Sequence, residues 1–289
     1  MLTIWLGLLF DGLAYGMLLY LMSLGLAVTL GLMGFVHLAH GAYAALGGYL
    51  AVALMRDGGW PFWAVLPAGF LAMALLGAGL ERAVLWRLYA RPPLDQMLFC
   101  IGFLFLVIAS ITAVWGGGQQ TLPVPQSLSG QTGLAGVEIG RYRLFLLLLG
   151  GGIILLLHLG LTRTRWGARL RAAVDLPEVA RGLGVPVNRL FAATFALGCG
   201  LAGLGGVLSV PLVGLDPAFP LKYLVLYLII VSVGGLGSLG GPLVVALGLG
   251  VLDIFGKYYL PEAGGFLIYA AMVALLLRWP NGLFAGQRR

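Results

Sequence analysis

Apolar residues run through this chain in blocks far longer than a strand or an ordinary core helix needs, and short polar islands separate them. A helix requires about 20 apolar residues to cross the hydrocarbon core of a bilayer, and in lipid only helices and closed barrels satisfy their own backbone. The blocks are too long and too uniformly apolar for barrel strands. Their pattern predicts spanning helices at roughly 14–34, 38–55, 62–86, 95–116, 143–161, 190–212, 222–236, 240–256 and 264–278. The expectation is therefore an all-α polytopic transmembrane helical bundle of about 8–9 spans, forming one domain over residues 1–289. Asp11 is read as breaking the first apolar run, and no cleavable signal peptide is expected.

Two polar intervals stand out. Residues 117–142, rich in Gly, Gln, Ser and Pro, read as a loop able to form a small ordered cap. Residues 162–190 hold six of the fifteen arginines, against Asp175 and Glu178. By the positive-inside rule this second island, with Arg82, Arg87, Arg91, Arg278, Arg288 and Arg289, lies in the cytoplasm. The N-terminus and residues 117–142 then lie outside, and Arg141 and Arg143 depart mildly from the rule. Within the island, Asp175 and Glu178 have the spacing of an N-cap and its reciprocal partner, with Pro177 in the first turn. Gly184 offers a positive-φ stop and Pro186 forbids continuation. The spacing predicts one short helix over 176–183, with Leu176, Val179 and Leu183 on a single face available for docking.

The 61% hydrophobic and 9% charged content excludes an ordinary soluble domain. The net charge of +7 follows from topology, and nucleic acid is not an expected partner. Cys100 and Cys199 fall inside spans and read as small apolar packers. Forty-seven glycines exceed what loops need, and those within spans read as close helix contacts or as breaks. Breaks are expected at Phe35–Gly41 in one half and Gly234–Gly241 in the other, as in transporters built from two related halves with discontinuous helices. Candidate pathway residues follow from them: His37, His40, Gly41, Gly234, Gly235, Gly237 and Ser238. His37 and His40 make a poor metal site, lacking a nearby carboxylate or thiol, and no metal is expected. His158 reads as interfacial. Asp11, Glu81 and Asp253 lie in or beside spans, where acids are costly, so a proton relay is the functional alternative to local neutralisation such as Asp253 with Lys257. The chain has no G-x-x-x-x-G-K-[ST] phosphate loop, and no nucleophile and base are arranged as in a hydrolase, so it is not read as an enzyme.

The run Glu178–Gly184 resembles the E-A-A-x-x-x-G signature of bacterial ABC importer permeases, with Val179 at the second position. Its flanks, Arg163–Ala172 and Gly184–Leu190, are similar to those of the branched-chain amino acid permease family. So are Gly34–Gly41, Glu81–Ala83, Val233–Pro242 and Arg278–Phe284. The resemblance implies a multi-pass permease subunit of a bacterial inner membrane, set in membrane lipid and importing leucine, isoleucine or valine. Its partners would be a second permease chain, two ATP-binding cassette subunits and a periplasmic binding protein. It implies no cofactor in this chain, ATP being bound by the partners, and a coupling element comprising Asp175, Glu178, Val179, Ala180, Arg181, Leu183 and Gly184. Relatives that carry urea, short amides or aromatic acids keep those cargoes open, and an ion-coupled secondary transporter is the rival class.

Overall fold

The computed structural model describes residues 2–33, 37–89, 91–134, 137–235, 240–279 and 282–283. Each predicted span falls on a helix, but the one expected over 38–55 is a 13-residue α-helix with a π turn and is not among those long enough to cross a membrane. The helices are α1 (Leu2–Met33), α2 (His40–Val52, extended by a π turn Ala53–Asp57), α3 (Phe62–Leu88, with a π turn at Glu81–Leu85) and α4 (Pro93–Trp115). After a two-stranded hairpin, β1 (Gln131–Leu134) with β2 (Val137–Gly140), come α5 (Arg141–Arg163), α6 (Arg165–Asp175) and α7 (Pro177–Gly182). The chain continues with α8 (Val187–Val213), α9 (Phe219–Gly234), α10 (Gly240–Tyr259) and α11 (Gly264–Arg278). Six of these are long and apolar enough to cross a membrane, and α9 and α11 are shorter apolar helices.

The first span begins at Leu2, not at residue 14 as the polar Asp11 suggested. Asp11 stays inside α1 because Arg143 Nη1 lies 2.7 Å from its carboxylate. A charge with a partner no longer needs to end a helix at the membrane boundary.

Helices α1 and α8 form the buried centre, while α3, α4 and α5 turn leucine and phenylalanine side chains such as Leu75, Phe105 and Leu156 outward. Helix α1 packs along α10, α8 packs along α3, and α1 and α8 cross each other. Exchanging α1–α2–α3 for α8–α9–α10 maps the α1–α10 pairing onto the α8–α3 pairing and the α1–α8 crossing onto itself. That exchange aligns the break before α2 with the 214–218 link, not with the glycine-rich stretch before α10 that the sequence pattern suggested. In lipid, helices are held by close packing more than by hydrophobic exclusion, and small residues set the distance. Gly206 of α8 shows why: a side chain there would land on the Ala44 carbonyl oxygen of α2.

The two ends of the bundle differ in charge. At the hairpin end Arg143 pairs with Asp11, Lys222 with Asp216 and Lys257 with Asp253, while Arg141 donates to Thr132 and Arg56 to Gln120 and the Thr121 carbonyl. Arg141 and Arg143 are thus accommodated there by specific partners. The opposite end carries α6, α7 and the arginine island.

Candidate coupling element and translocation core

The arginine island is helical almost throughout. Its first element, α6, is one the sequence reading omitted. Thr164 starts it, with the side-chain oxygen accepting a hydrogen bond from the Gly167 N–H at 3.2 Å. Trp166, Leu170 and Ala173, spaced by four and three, turn one stripe inward, and that period was the available signal. Leu170 and Ala173 join Ala180, Val187 and Leu190 in a small core of their own, and Arg171 donates to the Leu161 carbonyl at the end of α5. The island is therefore a packed unit seated on the spans.

Asp175 does not cap the next helix. It is the last residue of α6, and Leu176 occupies the N-cap of α7 with φ −140° and no side-chain hydrogen bond. Glu178, freed from a capping role, pairs with Arg181 one turn on. The stop does follow the predicted chemistry. Gly184 has φ +79°, its N–H donates to the Arg181 carbonyl at 3.0 Å, and the Val185 N–H donates to the Ala180 carbonyl at 2.9 Å. Those two bonds are the Schellman closure that a glycine in the left-handed region permits.

Ala180 turns inward and is buried, which fixes the rotation of α7. Leu176, Val179 and Leu183 consequently face away from the chain, 61%, 55% and 78% exposed. Three aliphatic side chains on two helical turns, beside Arg181, form a convex apolar edge held on a rigid base.

The candidate pathway residues lie deep in the bundle. His37, His40 and Gly41 are enclosed where α2 begins, and His40 N–H donates to the His37 carbonyl at 3.0 Å. The His37 ring stands 5.0 Å from that of Phe195 and 5.5 Å from that of Tyr43, and its Nδ1 is 3.3 Å from Cys100 Sγ. Cys100 is thus a polar neighbour of His37 and more than an apolar packer. The His40 ring abuts Gly25 of α1, which itself crosses Gly198 of α8. Non-helical backbone at 37–39 survives inside a membrane bundle because protein surrounds it.

Gly41 touches the first turn of α9 at Pro220, whereas Gly234, at the other end of α9, packs on Pro242. Fourteen residues of helix separate those contacts, about 21 Å at 1.5 Å per residue. Gly41 and Gly234 therefore make their contacts at two levels of the bundle. Gly235 is buried with φ +95°, and Gly237 and Ser238 lie outside the described residues. Helix α9, with 16 residues, is about 24 Å long, short of the roughly 30 Å hydrocarbon core. Among the described residues no three His, Cys, Asp or Glu side chains group as metal ligands. Glu81 is buried at the arginine-rich end, far along the bundle from Asp11 and Asp253, so the three acids do not form one chain of carboxylates.

The family described as the permease component of branched-chain amino acid transport systems matches residues 8–276. Among curated proteins the chain is similar to the high-affinity branched-chain amino acid transport system permease protein LivH of Salmonella typhimurium, at 24% identity over 95% of this chain and 94% of that protein. It is similar also to the probable branched-chain amino acid transport permease protein LivH of Methanocaldococcus jannaschii, at 26% identity over 91% of this chain and 85% of the relative. A more distant likeness is to the autoinducer 2 import system permease protein LsrC of Salmonella paratyphi B, at 28% identity over 76% of this chain and 60% of that protein. No solved structure matches. With its helical bundle, its packed arginine-rich island and a family match over nearly its full length, the chain belongs to the family of branched-chain amino acid transport permeases.

Proposed function

We propose that the chain is the membrane-spanning permease subunit of an ATP-driven importer carrying leucine, isoleucine or valine across a bacterial inner membrane. The observation that carries this reading is the edge of α7, where Leu176, Val179 and Leu183 project from a short helix stopped at Gly184. Burying one such side chain against a partner contributes about 1.5–3 kcal/mol. A rigid base lets the edge transmit a displacement into α8 through Val187 and Leu190. The chain lacks a phosphate-binding loop, so hydrolysis belongs to two ATP-binding subunits, with a second permease chain and a secreted binding protein completing the assembly. The arginine-rich end then faces the cytoplasm and the hairpin faces the binding protein. Asp175 closes α6 and sets where α7 begins; Glu178 and Arg181 lock its turn.

Transport passes through the region enclosed at His37, His40 and Gly41 and the level of Gly234 and Gly235. A cargo that is zwitterionic at one end and apolar at the other needs few polar groups and no fixed net charge there. The test is uptake into proteoliposomes holding both permeases and both ATPases, with the binding protein added. Leucine uptake should need ATP inside and stop with a hydrolysis-dead ATPase. Uptake driven by an ion gradient without the ATPases would establish the rival secondary transporter. Competition by urea, acetamide or an aromatic acid, with no competition by valine, would reassign the cargo.

A further inference from the structure

At the hairpin end a cavity of about 200 Å³ opens between α1, α5, α8, α9 and α10. Asp11, Arg143, Asp253 and Lys257 line it, with Tyr15 and Tyr223. The charges are matched in pairs: Arg143 Nη1 is 2.7 Å from Asp11 Oδ1, and Lys257 Nζ is 2.6 Å from Asp253 Oδ2. Asp253 is held inside, its side chain 6% exposed, whereas that of Lys257 is 57% exposed. What brings the two acids to one cavity is the contact of α1 with α10, where a Cβ on Gly12 would lie 2.6 Å from Val251 Cα. A second, almost wholly apolar cavity of about 350 Å³, walled by Val124, Leu128 and Tyr142, shares Arg143 and Leu212 with the first.

Local neutralisation accounts for each pair by itself. It does not call for two pairs facing one void with an apolar void beside it. Resting on the importer reading above, we infer that these cavities form an entry subsite for a free amino-acid zwitterion, occupied as cargo leaves the binding protein. The α-carboxylate lies against Arg143 and Lys257, the α-ammonium against Asp11 and Asp253, and the branched side chain points past Leu212 into the apolar cavity. Two cations and two anions give the subsite no net charge, so a zwitterion enters with no net Coulomb cost, whereas an ion of either sign adds an uncompensated charge beside the buried Asp253 carboxylate. At about 30 Å³ per water the charged cavity has room for roughly six water-sized groups, enough for the ammonium, α-carbon and carboxylate.

The experiment uses the complete importer in nanodiscs of phosphatidylglycerol alone, irradiated with a diazirine analogue of leucine, the labelled peptides being mapped by mass spectrometry. Saturable labelling near Tyr15 or Tyr223 is expected, displaced by leucine but not by 4-methylpentanoate or 3-methylbutylamine, which each carry one of the two charges. Reversing one pair, Asp11→Arg with Arg143→Asp, keeps an ion pair but inverts its polarity. Labelling should then fall roughly tenfold or more, the loss expected when a charged hydrogen-bond partner is misplaced, while assembly and melting temperature hold. Asp253→Asn should lower labelling in the same way, and it leaves a lysine exposed enough to be solvated, so it serves if the reversal fails to assemble. Equal displacement by the single-charge analogues, undiminished labelling in both variants, or loss of labelling when phosphatidylethanolamine is added would overturn the inference, the last by assigning the cavity to a lipid headgroup. Leucine uptake by the same importer reconstituted in proteoliposomes separates the two readings. Uptake without labelling removes the subsite and leaves the importer, and labelling without uptake does the reverse.

Discussion

Gly184 offers a quantitative test of the coupling element, because its cost on substitution arises from backbone conformation alone. Its φ is +79°, and a Cβ built there meets nothing within 4 Å. Sterics with neighbours therefore drop out, and what remains is the left-handed penalty for a residue with a side chain, about 1–2 kcal/mol for Ala. A β-branched residue costs more, and Asn, which tolerates this region, costs less. Set against the closure made by the Gly184 and Val185 amides, 1–2 kcal/mol lowers the closed population relative to the open one by about 5- to 30-fold. Hydrogen exchange of the peptide spanning residues 176–190, measured on the assembled importer, reads that ratio directly. The expected order of protection is Gly, Asn, Ala, Val. Leucine uptake per ATP hydrolysed should fall in the same order while the spans stay inserted. Unchanged protection in Gly184→Val, or Asn ranking below Ala, would refute the argument that strain at this stop controls the helix.

Three further outcomes are expected. Leu183→Asp, at a position 78% exposed, should leave the unfolding free energy of the isolated permease within about 0.5 kcal/mol of wild type yet abolish co-purification of the ATPase, and retained co-purification would move the docking edge elsewhere. Gly206→Ala drives a methyl group into the Ala44 carbonyl and should destabilise by about 1–3 kcal/mol, whereas Gly151→Ala, with open space around it, should be neutral or stabilising by up to about 1 kcal/mol; thermal unfolding in detergent compares them. Ala39→Cys, in a chain with Cys100→Ala and Cys199→Ala, is fully enclosed here and should resist an aqueous thiol reagent at rest, then react during turnover with ATP and loaded binding protein. Equal rates in both conditions would take residues 37–41 off the moving pathway.

The spans were legible because the bilayer imposes a length, and a length can be counted along one chain. One failure in the reading was non-local. Asp11 looked like a helix end since its neutralising partner, Arg143, is far away in sequence and comes beside it only after α1 and α5 pack. Asp175 failed for a different reason. An acid three residues before another acid matches a capping box, but the same Asp can equally close the helix before it. The backbone of Leu176, extended at φ −140°, shows that the chain turns one residue later. The stop at Gly184 was legible, since positive φ is a demand that glycine meets locally.

The candidate pathway residues illustrate the limit of pattern reading most clearly. Interrupted apolar runs placed breaks at Phe35–Gly41 and Gly234–Gly241, and among the described residues 37–39 and Gly235 are non-helical, yet sequence spacing says nothing of what surrounds a break. Enclosure at the first comes from Phe195, Tyr43 and Cys100, carried by three different helices, and at the second from Pro242. Irregular backbone sealed by side chains from separate helices can be unsealed only by moving those helices relative to one another. Helix α8 carries Phe195 in such a seal and, about two turns nearer its start, Val187 and Leu190 in the small core beneath α7. On the importer reading proposed above, a push on the α7 edge has a continuous helical route to the aromatic packing around His37.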